Sequence, residues 1–229
     1  PYRSTCTVLL RDSELMLIPE PRLPDKMVRI AAIDPGTSHL GMAVLDWEYG
    51  SDQAEVVWAD TMHVLDPTHP SAFAECVGKR DDRLVKLEAC YREFLRIARP
   101  TFVATETPFM RRAKLSAYES GVELQLMLRR ALWDVFPEKV LHGFNPIIVK
   151  SFVGVEAKGT DKTDMFRAVT KLYRDHALFD ITTLDEHSID AVAVGNIFVR
   201  VNLLNLNSLL PPKQKSAKTA KRRRRRRRK

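Results

Sequence analysis

Four residues in this sequence have the chemistry of a divalent-cation centre: Asp34, Glu106, His187 and Asp190. Asp34 follows the β-prone run Val28-Arg29-Ile30-Ala31-Ala32-Ile33 and is cut off by Pro35 and Gly36, which sets it at the carboxyl end of a predicted strand. Glu106 ends a second apolar run, 101–106, just before Thr107 and Pro108. Neighbouring strand ends lie side by side in a sheet, so the two carboxylates are placed to converge on one edge. His187 and Asp190 stand three residues apart in a helical pattern and share one helix face. Oxygen ligands with one imidazole suit Mg²⁺ or Mn²⁺ better than zinc, given the absence of cysteine ligands. Two such ions about 4 Å apart activate water and stabilise the leaving oxygen in phosphodiester hydrolysis. Each residue also has an ordinary use. An acid after a strand serves turns and caps, His187 suits a cap or a surface, and Asp185 and Glu186 favour the helix dipole as first-turn acids.

The elements that must position these groups are legible from periodicity and breakers. Strands are expected at 28–33, 41–47 and 55–64, joined by turns short enough for an antiparallel meander. Leu84, Leu87, Tyr91, Phe94, Leu95 and Ala98 recur at helical spacing, which predicts an amphipathic helix over 83–98, stopped by Pro100. The strand 101–106, a helix over 119–135 and a fifth strand at 140–144 follow. The 119–135 helix carries Val122, Leu124, Leu126, Met127, Leu128, Leu132 and Trp133, more apolar surface than one core face requires. A subunit interface and a doubly buried core helix both fit that pattern. A further helix is expected at 161–176, N-capped by Thr160 or Asp161. The last begins near Thr183, with Glu186 at capping-box spacing, and its apolar run through Phe198 marks it as well buried. Three strands, then helix, strand, helix, strand and two helices make an α/β layer around a mixed sheet.

The charge is divided along the chain. Of the 37 basic residues, five lysines and seven arginines lie between Lys213 and Lys229, a segment with no acid; the first 212 residues then hold 25 bases against 29 acids. A body near −4 with a strongly cationic tail suits a polyanion partner, most often nucleic acid. The expected organisation is an N-terminal extension at 1–27, a folded domain at 28–210 and a basic disordered tail at 211–229. Cys6, Cys76 and Cys90 fit neither a disulfide framework nor paired zinc-ligand spacing, and read as reduced thiols. No apolar run approaches the roughly 20 residues of a membrane span, so no membrane partner is expected. The compartment expected is the cytoplasm, with association to the nucleoid, or for a viral chain the compartment of viral DNA replication.

In combination and order these motifs carry a resemblance. Ala32-Ile33-Asp34-Pro35-Gly36-Thr37-Ser38-His39-Leu40-Gly41 resembles the opening motif of the RuvC family of Holliday-junction resolvases. Pro100-Thr101-Phe102-Val103-Ala104-Thr105-Glu106-Thr107-Pro108-Phe109 is similar to that family's second acidic strand, including the aromatic residue three positions after the glutamate. The segment from Asn145 to Val155 looks like the stretch before the family's basic loop, and Gly159-Thr160-Asp161-Lys162 like the helix entry after it. His187-Ser188-Ile189-Asp190-Ala191-Val192-Ala193-Val194-Gly195 matches the closing helix, in which both histidine and aspartate occur at the position of His187. The resemblance spans 28–199. It implies an RNase H-like fold, a homodimer that sets two active sites on a four-way DNA junction, and divalent-metal hydrolysis with paired nicks. It makes Asp34, Glu106, His187 and Asp190 the metal-binding set, puts Lys162 near the scissile phosphate as an offset to developing charge, and makes Phe109 a wedge or stacking platform for unpaired bases.

The chain departs from that pattern in its N-terminal extension, its longer 50–82 segment, the basic run Met110-Arg111-Arg112-Ala113-Lys114 and its poly-arginine tail. Arg111, Arg112 and Lys114 after the wedge, with Lys150, Lys158 and Lys162 before and at a helix start, form two groups placed to hold phosphates on either side of the metal site. Each lysine is equally suited to a solvated polar face. The tail adds salt-sensitive, nonspecific affinity, and such a run also serves as a nuclear-localisation or condensing tail. Two other readings stay open: an RNase H-fold nuclease acting on other branched DNA or RNA–DNA hybrids, and a non-catalytic DNA-binding or packaging protein.

Overall fold

The computed structural model describes residues 18–20, 25–64, 72–110, 115–155 and 162–204. Five strands, β1 (Met27–Pro35), β2 (His39–Glu48), β3 (Glu55–His63), β4 (Phe102–Glu106) and β5 (Leu141–Phe144), form one sheet in the order β3-β2-β1-β4-β5. The first three strands form the expected antiparallel meander, while β4 and β5 run parallel to β1 and to each other. This is the mixed five-stranded sheet of an RNase H-like fold, and helices cover both faces.

Strand alternation assigns each residue to a face. Along β1, Val28, Ile30 and Ala32 enter one core, whereas Ala31 and Ile33 enter the other. The second core is closed by two long helices, α2 (Lys79–Ala98) and α3 (Leu115–Val135), through Leu87, Tyr91, Phe94, Leu124, Leu128 and Leu132. The first core is closed by α4 (Pro146–Phe152), α5 (Lys162–Tyr173) and α6 (Glu186–Phe198). From Ser188 to Phe198 every residue of α6 except Asp190 is buried, as its nearly uninterrupted apolar pattern requires.

Three local readings need correction. The last helix begins at Glu186, not near Thr183, and its N-cap is Asp185. Asp185 accepts hydrogen bonds from the Ser188 backbone at 2.9 Å and from the hydroxyls of Ser188 and Thr61, both at 2.6 Å, a set that a threonine at 183 has no means to match. Thr183 instead closes a single 3₁₀ turn (Ile181–Thr183) capped by Asp180. The 145–155 stretch holds a helix, α4, whose start is signalled by Asn145 as N-cap and Pro146 in the first turn. Within the long 50–82 segment a short helix, α1 (Ala72–Val77), precedes α2. The expected caps Thr160 and Asp161, Cys6, the 205–229 segment and most of the 1–27 extension lie outside the described residues. Cys76 and Cys90 are free thiols, and among the described residues no helix is long and apolar enough to cross a membrane.

One buried ion pair ties the sheet together. Arg29 on β1 faces Asp46 on β2 and donates two hydrogen bonds to its carboxylate, each 2.7 Å, with both residues at most 5% exposed. The same guanidinium donates to the Pro19 carbonyl at 2.7 Å and so holds residues 18–20 against the sheet. Removing one member of such a pair leaves the other charged and buried. Asp46→Ala is therefore expected to lower the unfolding free energy by about 3–5 kcal/mol in urea titrations. A loss under about 1 kcal/mol would show that the pair does not carry this load.

Candidate metal centre

Register and alternation together bring the two strand-end acids to one place. Parallel pairing of β1 with β4 runs from Ile30 opposite Phe102 to Ile33 opposite Thr105, so the next pair along is Asp34 and Glu106. Asp34 continues the face of Ile30 and Ala32, and Glu106 that of Ala104, which is the face covered by α6. The N-terminal turn of α6 adds His187 and Asp190. That turn approaches β2 so closely that a Cβ at Gly41 would lie 2.2 Å from the His187 carbonyl oxygen. Glycine at 41 is what lets the histidine reach the sheet edge.

His187 Nδ1 lies 3.1 Å from Asp34 Oδ2, and both side chains are mostly buried. Burial alone would lower the His187 pKa, but the hydrogen bond and charge of Asp34, with Glu186 and Asp185 nearby, raise it above its ordinary value. The carboxylates show the opposite stress. Burial, then repulsion from Asp34 and Asp190, pushes Glu106 up to about 8, while Lys150 pulls it down. Asp190 is pushed up to about 7 by burial and by Asp34, with His187 and Lys150 opposing. Three carboxylates from three rigid elements thus share a site whose protein cations, Lys150 and His187, do not compensate them. Oxygen donors in excess of nearby positive charge fit a hard divalent cation of the Mg²⁺ or Mn²⁺ kind.

Of the four acidic and imidazole residues expected from sequence, Asp34, His187 and Asp190 share one cleft, and Glu106 lies within reach of the charges of Asp34 and Asp190. Asp34, Lys150, His187 and Asp190 line a cleft of about 520 Å³ that Thr163, Met165 and Phe166 of α5 also border. Lys150, expected among the phosphate contacts flanking the metal site, is close enough for its charge to act on both Glu106 and Asp190. Phe109 stands three residues beyond Glu106 and is 42% exposed. Arg111, Arg112, Lys114 and Lys158 lie outside the described residues. Lys162 begins α5, but its side chain lies outside those described.

Two participants were not foreseen. His39, at the start of β2, stacks on His187 with ring centroids 3.5 Å apart. Gln125 is a buried amide in an otherwise apolar face of α3, and it donates to the Glu106 carbonyl at 2.6 Å and to the Thr105 hydroxyl at 3.3 Å. It pins the end of β4 and with it the backbone of the glutamate. The sequence signal was a polar residue inside the run Leu124-Gln125-Leu126-Met127-Leu128.

A mixed five-stranded sheet with helices on both faces and acids at the ends of its central strands is an RNase H-like fold. Among solved structures the chain shares the fold of Holliday-junction resolvases. Thermus thermophilus RuvC aligns over 76% of this chain and 96% of its own, with a TM-score of 0.52 and 20% identity. The same protein in complex with Holliday junction substrate gives 0.53 at 19% identity. The fowlpox virus resolvase with its junction DNA aligns over 75% of this chain, with a TM-score of 0.49 and 11% identity. At these identities the likeness is one of fold. No protein-family model and no curated protein matches the chain by sequence.

The raised acids make stability depend on pH in a defined direction. Glu106 moves from 4.5 to about 8 and Asp190 from 3.8 to about 7, so between those limits the folded protein holds more protons than the unfolded chain. Its stability is highest at the acid end of that window and falls as pH rises through it, and the raised His187 acts in the same sense. In EDTA the Tm is expected to drop between about pH 5 and about pH 8, and Glu106→Gln to flatten the drop. Mg²⁺ is expected to raise the Tm most at the alkaline end, since a cation binds the deprotonated form. A Tm indifferent to both pH and Mg²⁺ would contradict the electrostatics described.

Proposed function

We propose that the protein is a divalent-metal-dependent endonuclease that resolves four-way DNA junctions by paired phosphodiester hydrolysis. The observation that carries this reading is the gathering of three carboxylates beside α6: Asp34 and Asp190 line the cleft, and Glu106, largely buried, lies close enough to be repelled by both. The sharing of that fold with a RuvC solved on Holliday junction substrate supports the choice of junction DNA over other phosphodiesters.

Asp34, Glu106, Asp190 and His187 would hold the metal, which when bound supplies Lewis-acid activation of water and charge neutralisation at the phosphate. The chain's own residues do the remaining work. Gln125 fixes the position of Glu106 from behind the strand. Asp34 accepts from His187 and so orients its imidazole within the cleft. Lys150, on the cleft wall, attracts the phosphate and offsets the negative charge that grows on its oxygens during hydrolysis. Lys162 at the head of α5 is assigned the same task from the other side. Phe109, exposed past the end of β4, is assigned to stacking on bases opened at the junction centre, with Arg111, Arg112, Lys114 and Lys158 on flanking phosphates.

The described residues of one chain present one such cleft, and resolution needs two cuts. The homodimer this requires is assigned to the outer face of α3, where Leu115, Val122, Leu126 and Trp133 fall on one stripe at helical spacing and are all exposed. Trp133 at 67% and Leu126 at 60% exposure are costly to leave in water.

Two outcomes follow. Asp34→Asn and Glu106→Gln each abolish nicking of a labelled immobile junction in Mg²⁺ while leaving its binding in gel-shift assays within about threefold. Retained nicking in both variants would overturn the reading; symmetric wild-type nicks on flaps or hybrids but not on junctions would transfer it to the other nuclease class. Leu126→Lys combined with Trp133→Lys halves the mass seen by light scattering and turns paired nicks into single ones. A dimer that persists in this variant would remove α3 from the interface.

A further inference from the structure

The imidazole of His39 has no part in the reading above, yet it occupies a built position in the centre. His39 opens β2, and its ring lies nearly parallel to that of His187, at 25°. One donor atom from each of Asp34, His39 and His187 lies within 4.8 Å of the other two. The turn between β1 and β2 is shaped around this ring. A Cβ at Gly36 would fall 2.2 Å from His39 Nε2, so any side chain at 36 would displace the imidazole. The Gly36 N–H also donates to the His39 carbonyl at 3.0 Å, which closes the turn and fixes the backbone that carries the ring.

We propose that His39 is a metal ligand, sharing with Asp34 and His187 a cation position that prefers a transition-metal ion to Mg²⁺. The inference rests on the cleft being a cation centre and gives that centre a chemical asymmetry. Towards Glu106 and Asp190, Asp34 has further carboxylates as neighbours, whose oxygens suit Mg²⁺. On the other side it meets two imidazoles, and a set of two nitrogens and one carboxylate suits borderline ions such as Mn²⁺ or Co²⁺, whereas Mg²⁺ keeps to oxygen. Asp34 belongs to both sets and is the bridge between them. Such a centre holds two different ions at once when both are present.

The test uses the full chain stripped with EDTA and titrated with Mn²⁺ in a large excess of Mg²⁺, with free Mn²⁺ read by its electron paramagnetic resonance signal. Wild-type protein is expected to retain one Mn²⁺ per chain. His39→Ala and His39→Gln are both expected to weaken Mn²⁺ binding about tenfold or more, while Mg²⁺ binding measured alone by calorimetry changes less than about twofold. Added Co²⁺ is expected to give a visible absorption band in the wild type that shifts in both variants. Circular dichroism melts identify a variant that fails to fold, and the glutamine variant keeps the bulk that fills the space above Gly36. Mn²⁺ affinity unchanged in both folded variants, or Mn²⁺ and Mg²⁺ affinities falling together, would overturn the proposal. A wild type that retains Mn²⁺ in a His39-dependent way but cuts no junction in either metal would uphold this site and refute the nuclease reading.

Discussion

The burial of Glu106 and Asp190, sharpened by repulsion between them and Asp34, is the constraint around which this molecule is organised. Carboxylates taken out of water into one cleft cannot all ionise unless positive charge is supplied, and the shifts of Glu106 to about 8 and Asp190 to about 7 express that directly. The arrangement persists because each acid is fixed by an element with other reasons to be where it is. β1 and β4 are central strands in parallel register, and α6 is buried along nearly its whole surface. The Arg29–Asp46 pair, at the opposite end of β1 from Asp34, locks the β1–β2 pairing that sets where that acid falls. The fold thus supplies rigidity, and the centre spends it on an electrostatic arrangement that favours a cation.

The acids were legible in the sequence for a physical reason. A buried strand reads as an unbroken apolar run, and an acid at its end marks the point where the chain leaves the core; two such runs in parallel neighbours bring two acids together. The helix that carries His187 and Asp190 was legible from its apolar surface, but its first residue was not. Thr183 and Asp185 are both good caps, and what decides between them is Thr61, a residue 124 positions away whose hydroxyl donates to Asp185. His39 carries no local signal, and Gln125 only that of a polar residue in an apolar run, for a related reason. Nothing local distinguishes a histidine that opens a strand from one on a surface, and Gln125 owes its role to the end of β4, 20 positions upstream. α4 was locally signalled by Asn145-Pro146; its shortness left no periodicity to read.

The placement of Lys150 joins recognition to chemistry. A lysine spaced for phosphate contact lies on the wall of the acid cleft, where its charge acts on Glu106 and Asp190 and would act equally on a phosphate drawn toward them. α3 makes a second link of this kind. Its inner face supports Glu106 through Gln125, and its outer face carries the apolar stripe assigned to the partner copy. One helix therefore connects the proposed interface to the proposed site with no intervening loop.

The most direct test of this account is a pH titration of the side-chain carboxyls by ¹³C NMR on metal-free protein, repeated with saturating Mg²⁺. Two carboxyls, assigned through Glu106→Gln and Asp190→Asn, are expected to titrate at about 8 and about 7 without the ion and to fall well below those values with it. Carboxyls that all titrate in the ordinary range, with none moved by Mg²⁺, would contradict it.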